Sequence, residues 1–146
     1  MDALRQSFAS AVRERRQELG LSQERLGFSA NMDQTGVSLL ELEGTNISLD
    51  KADAIAAALG TTVVNLLGES STCGPAFKSS VTFCKMVRHH RVQAGLNQRQ
   101  LAIRAHVDRN YVSAIEMGRN VRMDTVEKFA VALGVPPARL LADEMS

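Results

Sequence analysis

Apolar residues recur every three or four positions along most of this chain, and glycines interrupt the pattern at regular points. Phe83, Val87 and Ala94, for example, fall on one stripe of a helix that Gly95 would end, and Arg91 lies on the same stripe. No segment alternates convincingly with a period of two residues, as a half-buried strand would. The pattern therefore predicts an all-α protein built from short helices.

The chain is an internal tandem repeat. A slide of 75 positions aligns residues 8–41 with 83–116, and a slide of 74 aligns 44–67 with 118–141. Identical residues occupy 22 of the 58 aligned positions, where chance would give only a few. One inserted residue in the first copy explains the change of slide. This duplication predicts two units of five helices each.

A stretch rich in glycine, proline and serine separates the copies and has no helical periodicity. We interpret it as a linker. The predicted organisation is a first unit at 1–68, a linker at 69–78 and a second unit at 79–146.

Helix starts are clearest in the second copy. Asn97 followed by Gln100 has the spacing of a capping box, and Asp108 can cap the next helix. Ser80 is a plausible N-cap for the first helix of this copy, and Asp124 for the fourth.

Two helices joined by a three-residue turn form the most informative motif. Leu96–Ala102 and Asp108–Gly118 closely resemble the helix-turn-helix of the lambda repressor and Cro family, also called the XRE family. Leu21–Gly27 and Val37–Glu41 resemble it in the first copy. The resemblance implies two tandem lambda repressor-like domains in a sequence-specific regulator of transcription that binds double-stranded DNA. It favours a repressor that occludes a promoter.

In that family the second motif helix enters the major groove, and residues of its first two turns reach base edges. The resemblance gives this role to Arg109, Asn110, Ser113 and Ala114 in the second copy, and to Gln34, Thr35 and Ser38 in the first. Arg109 can pair with guanine and Asn110 with adenine. The alternative for Arg109 is a contact with phosphate alone.

Other residues match family positions that hold the DNA backbone or the fold. Gln98 and Gln23 match a glutamine that binds phosphate and supports the reading helix, and Arg119, Asn120 and Arg122 suit further backbone contacts. Arg16 with Glu41, and Arg91 with Glu116, match an ion pair between the first and third helices of family members.

Charge distinguishes the two copies. Residues 1–69 carry six basic and ten acidic side chains, whereas residues 70–146 carry eleven basic and six acidic ones. Because phosphate attraction supplies most non-specific affinity for DNA, we expect the second copy to be the main DNA reader. Phe28 and Leu39 are expected to be exposed in the first copy, so the alternative is that this copy binds a protein partner or another protomer.

The remaining features point to no further chemistry. Cys73 and Cys84 are interpreted as free thiols, and His89, His90 and His106 lack the neighbours that would complete a metal site. No catalytic or cofactor motif and no membrane-length apolar run occurs, which favours a cytoplasmic, non-enzymatic protein without cofactors. A head-to-tail tandem would suit a direct or asymmetric DNA site and a homodimer a palindrome. The sequence leaves that choice open.

Overall fold

A computed structural model describes residues 3–68 and 78–142 of the chain. Within these ranges the secondary structure is helical, which confirms the predicted all-α class. The α-helices are α1 (Ala3–Glu18), α2 (Gln23–Ser29), α3 (Gln34–Glu43), α4 (Leu49–Ala58), α5 (Val63–Leu66), α6 (Ser79–Gln93), α7 (Gln98–Ala105), α8 (Arg109–Glu116) and α9 (Met123–Leu133). A 3₁₀-helix at Pro137–Leu140 takes the place of a tenth α-helix. The predicted linker lies outside the described residues, except for Lys78.

The turn inside each motif has the same unusual backbone. Asn31 and His106 both have φ of 58°, in the left-handed region that these residue types tolerate better than most. Gly27 packs so closely against the following turn that an added Cβ would lie 2.7 Å from the Met32 carbonyl oxygen. The second unit has Ala102 at this position. A small residue where the two helices meet is therefore a steric requirement.

Two predicted helix caps were wrong. The N-cap of α6 is Lys78 rather than Ser80, and α9 begins after Arg122, before Asp124. Both predicted caps face the other unit instead, because the Asp124 carboxylate lies 3.0 Å from Nε of Arg5 and the Ser80 hydroxyl lies 3.4 Å from Oδ1 of Asp50. The capping box of Asn97 and Gln100 is confirmed.

The two units share one hydrophobic core. Buried residues of both units, such as Phe8 and Leu49 in the first and Phe83 and Met123 in the second, belong to a single continuous cluster. Between the units, Ser48 and Arg122 form an isolated antiparallel bridge. The two units are thus joined by packing and backbone hydrogen bonds as well as by the chain itself.

Candidate nucleic-acid interface

The motif of the second unit presents one face of α8 to solvent. Val112 and Ile115 are buried, which fixes the opposite face of α8 against the core. Arg109 and Asn110 are exposed in its first turn. Ser113 and Ala114, one turn further on, are half-buried. The residues expected to read bases therefore lie together at the exposed N-terminal half of this helix.

A buried ion pair fixes the direction of α8. Arg91 on α6 donates from Nε to Oε2 of Glu116 at 2.8 Å and from a second nitrogen to Oε1 at 3.0 Å. The same guanidinium donates to the Leu96 carbonyl at 2.9 Å. Gln98 donates its amide to Oε1 of Glu116 at 3.4 Å, so its side chain supports α8. A two-bond arginine-carboxylate pair is geometrically specific, so it restrains the orientation of α8.

The first unit repeats this arrangement with nearly the same distances. Arg16 bonds both oxygens of Glu41, at 2.8 and 3.0 Å, and Gln23 reaches Oε1 of Glu41 at 3.3 Å. The hydrogen bond to Glu41 raises the pKa of Arg16. Both motifs are therefore held by an equivalent set of one arginine, one glutamate and one glutamine. The units differ in the side chains on the exposed faces of α3 and α8.

A basic groove of about 690 Å³ lies between α7 and α8. Its lining residues are Arg91, Asn97, Gln98, Arg99 and Arg109. The corresponding residues of the first unit are Arg16, Ser22, Gln23, Glu24 and Gln34. At two of the five positions an arginine is replaced, once by a neutral and once by an acidic side chain. The two units therefore differ in charge at this groove. Phosphates favour the more cationic groove, which is that of the second unit.

Arg99 was missed by the sequence analysis. It lies between Asn97 and Gln100, the residues of the capping box, and takes no part in the capping box itself. The signal that could have found it is the repeat alignment, which pairs Arg99 with Glu24.

An aromatic residue braces α8 and has no counterpart in α3. The Tyr111 hydroxyl lies 3.3 Å from Oγ1 of Thr125, and its ring packs edge-on against Phe129 with centroids 6.5 Å apart. The guanidinium carbon of Arg119 lies 5.3 Å from the centre of the Tyr111 ring. Gly36 occupies the equivalent place in the first unit, so only the second reading helix has this brace.

The loop after α8 contacts the other unit. Oδ1 of Asn120 accepts a hydrogen bond from the Asp50 amide at 3.2 Å, so this side chain binds the other unit and can offer only its amide group to DNA. The backbone of Arg122 takes part in the bridge to Ser48, while its side chain is exposed. Of the three loop residues expected at the DNA backbone, two are also part of the contact between the units.

The exposed face of the first unit's motif is less charged than that of the second. Gln34 and Thr35 are exposed at the start of α3, and Ser38 is half-buried. Phe28 is 88% exposed, and Leu39 and Leu42 are 43% and 75% exposed. This unit thus combines polar groups suited to base edges with an apolar surface.

The histidine and cysteine side chains are the other candidates for chemistry in the described parts of the chain. No group of three or more His, Cys, Asp or Glu side chains able to hold a metal ion occurs among residues 3–68 and 78–142. Cys84 is a free thiol whose pKa is raised chiefly by burial, and Cys73 lies outside the described residues. None of the described helices is long and apolar enough to cross a membrane.

Comparison with known proteins agrees with the geometry of both motifs. A helix-turn-helix family model matches residues 12–66, and a second helix-turn-helix domain model matches residues 86–142. Control protein C.BamHI of Bacillus amyloliquefaciens is 43% identical over 61 residues, which are 40% of this chain and 75% of that protein.

A hypothetical transcription factor of Neisseria meningitidis serogroup B is 45% identical over 56 residues, or 38% of this chain. The chain spans about half the length of that relative, 53%. Among solved structures, the restriction-modification controller protein C.AhdI from Aeromonas hydrophila has 37% identity over 44% of this chain and 98% of its own, with a TM-score of 0.41.

The fold and the two motifs define a protein with two helix-turn-helix domains. The chain belongs to the XRE-type helix-turn-helix family.

Proposed function

We propose that this protein regulates transcription by binding duplex DNA sequence-specifically, that α8 is its main reading helix, and that it represses by occluding a promoter. The observation that carries the proposal is the exposed pair Arg109 and Asn110 in the first turn of α8, of which Arg109 lines the basic groove. An arginine can bond both acceptors of guanine and an asparagine can bond adenine in the major groove. The relatives named as a control protein and a transcription factor support the same reading.

The second unit is proposed as the stronger reader for two reasons. Its groove has Arg99 and Arg109 where the first unit has Glu24 and Gln34. Its reading helix is also braced by Tyr111, so less conformational freedom remains to be lost on binding. Gln98, Arg119 and Arg122 would hold the phosphates on either side.

A binding titration tests this proposal. Fluorescence anisotropy with a pool of genomic DNA fragments, repeated over a range of salt, should give an affinity that falls steeply as salt rises. Selection of bound fragments should enrich a preferred sequence. Arg109→Ala should relax that preference at one position, at a cost of roughly 1–3 kcal/mol.

Arg139→Ala is the matched control, because Arg139 is an exposed arginine of the same unit on the 3₁₀-helix, outside the motif. It should leave the sequence preference unchanged. If the wild-type chain enriches no sequence, or Arg109→Ala leaves the preference intact, α8 is not the reader we propose.

A second candidate function is favoured by the apolar surface of the first unit. We propose as the alternative that Phe28, Leu39 and Leu42 contact a protein partner, with DNA binding secondary. Under this alternative, Phe28→Ser should abolish capture of the partner without changing the salt-dependent affinity for DNA. Gln34→Ala should then leave sequence preference unchanged, whereas it alters the preference if α3 reads bases.

We propose a cytoplasmic regulator without catalytic activity, because the family's members act by binding DNA. Sedimentation of the free protein tests whether it forms a homodimer.

A further inference from the structure

Equivalent residues of the two repeats meet each other where the units join. Ser48 and Arg122 are 74 positions apart, the same offset that aligns this part of the repeat, and they form the bridge between the units. On either side, the Leu49 amide donates to the Val121 carbonyl at 2.8 Å, and the Met123 amide donates to the Ile47 carbonyl at 2.9 Å. Leu49 corresponds to Met123, and Ile47 to Val121, so exchanging the two units converts one hydrogen bond into the other.

The side chains beside the bridge are related by the same exchange of the two units. Oδ1 of Asn120 accepts from the Asp50 amide at 3.2 Å, and Oδ1 of Asn46 accepts from the Asp124 amide at 3.0 Å. Asn46 corresponds to Asn120, and Asp50 to Asp124. Both asparagines are therefore retained at a position where each binds the opposite unit.

A third reciprocal pair lies further from the bridge. Oε2 of Glu127 on α9 accepts from the Leu4 amide at the start of α1 at 2.8 Å. Oδ2 of Asp53 on α4 accepts from the Ser79 amide at the start of α6, also at 2.8 Å. Leu4 corresponds to Ser79 and Asp53 to Glu127, so each unit places a carboxyl group at the N-terminus of the other unit's first helix, where it accepts a hydrogen bond from a first-turn amide.

Three reciprocal sets of contacts define a pseudo-twofold axis near Ser48 and Arg122. A contact in which residue i meets residue j and j meets i requires twofold symmetry, and a head-to-tail arrangement produces no such contact. α3 ends five residues before Ser48, and α8 ends six residues before Arg122. Since a chain advances at most about 3.6 Å per residue, both reading helices end within roughly 20 Å of this axis.

We propose that one copy of this chain is a complete two-headed reader that binds two inverted half-sites of different sequence, with α8 on one and α3 on the other. This inference rests on the proposed DNA-binding function. Half-sites about 34 Å apart have their centres about 17 Å from the dyad, within the distance that the chain allows. The half-sites differ because Arg109 and Asn110 of α8 correspond to Gln34 and Thr35 of α3.

The contact between the units also decides how many chains bind one DNA site. The surface that a twofold-related copy would cover around Ser48 is already covered by the second unit of the same chain. A single chain therefore supplies both reading helices. Because the chain is asymmetric, it binds its operator in one orientation, with the basic unit always on the same half-site.

Selection from a library of random-sequence duplexes, followed by sequencing, tests the inference. The wild-type chain should enrich two blocks of preferred bases, about one helical turn apart, inverted and of unequal sequence. Arg109→Ala should reduce the preference in one block roughly 5- to 150-fold, and Gln34→Ala should act on the other block alone. Native mass spectrometry of the complex with a selected duplex should give one chain per duplex.

Arg139→Ala serves as the control and should leave both blocks intact. Blocks in the same orientation, a single block, both variants acting on one block, or two chains on one pair of half-sites would overturn the two-headed arrangement while leaving DNA binding in place. Enrichment of no sequence would instead overturn the proposed function itself, and the inference with it.

Discussion

Gly27 has no room for a side chain in the first motif. A Cβ at this position would lie 2.7 Å from the Met32 carbonyl oxygen and 3.3 Å from that of Asp33. Both are backbone atoms of the turn before α3, so they cannot move aside without shifting the reading helix. The position thus couples the packing of α2 to the placement of α3.

Gly27→Ala should destabilise the protein by about 1–3 kcal/mol, the usual cost of overpacking a close contact. Urea unfolding monitored by circular dichroism measures this change. Gly36→Ala is the matched control in α3, where an added Cβ meets only the ends of the Asp33 and Met32 side chains. Because alanine favours helix by up to about 1 kcal/mol, this control should be neutral or stabilising. Equal destabilisation by both variants would contradict the steric argument.

Asp53 makes the contact between units sensitive to pH. Burial raises the pKa of Asp53, against the lowering effect of its hydrogen bonds from Ser79, and the nearby carboxylate of Asp50 adds to the rise while Lys78 opposes it. In the pH range between the ordinary pKa of about 3.9 and the raised value, the folded state binds more protons than the unfolded state. The contribution of Asp53 to stability is therefore largest at low pH and falls as pH rises through the folded pKa.

Asp53→Asn removes this dependence. We expect the free energy of unfolding of the wild type, minus that of the variant, to decrease between about pH 4 and the raised pKa and to be constant above it. Urea unfolding of both proteins at a series of pH values checks the expectation. A difference that stays flat from pH 4, or that grows with pH, would show that Asp53 has no raised pKa in the fold.

At the scale of the element, α7 of the second unit and α2 of the first differ in sign at one exposed position, Arg99 against Glu24. Arg99→Ala should weaken binding to all DNA sequences alike and lower the magnitude of the log-log salt slope by about 1. Glu24→Arg should raise that magnitude by a similar amount. Titrations at several salt concentrations measure both, with Arg139→Ala as the reference for simple loss of charge. A change in sequence preference would instead place Arg99 at the bases.

The elements most fully predictable from the sequence are those governed by local patterns. The capping box at Asn97 depends on a few adjacent residues, so the sequence predicts it. The caps predicted at Ser80 and Asp124 failed because residues distant in sequence compete for those side chains. Likewise, the internal repeat shows that two copies exist, but it contains no information on how the surfaces of the two copies meet. The choice between tandem and twofold arrangements required the contacts themselves.

At the scale of the whole molecule, the shared core predicts that the two units unfold together. Tyr111 is the only tyrosine and the chain has no tryptophan, so tyrosine fluorescence reports on the second unit, whereas circular dichroism at 222 nm reports on helices of both. We expect the two signals to give coincident urea transitions, the test of two-state behaviour. Gly27→Ala, in the first unit, should then shift the Tyr111 transition as far as the circular dichroism transition. Independent units would give a biphasic circular dichroism curve and an unshifted Tyr111 signal, which would mean that the reciprocal contacts around Ser48 and Arg122 do not couple the folding of the two units.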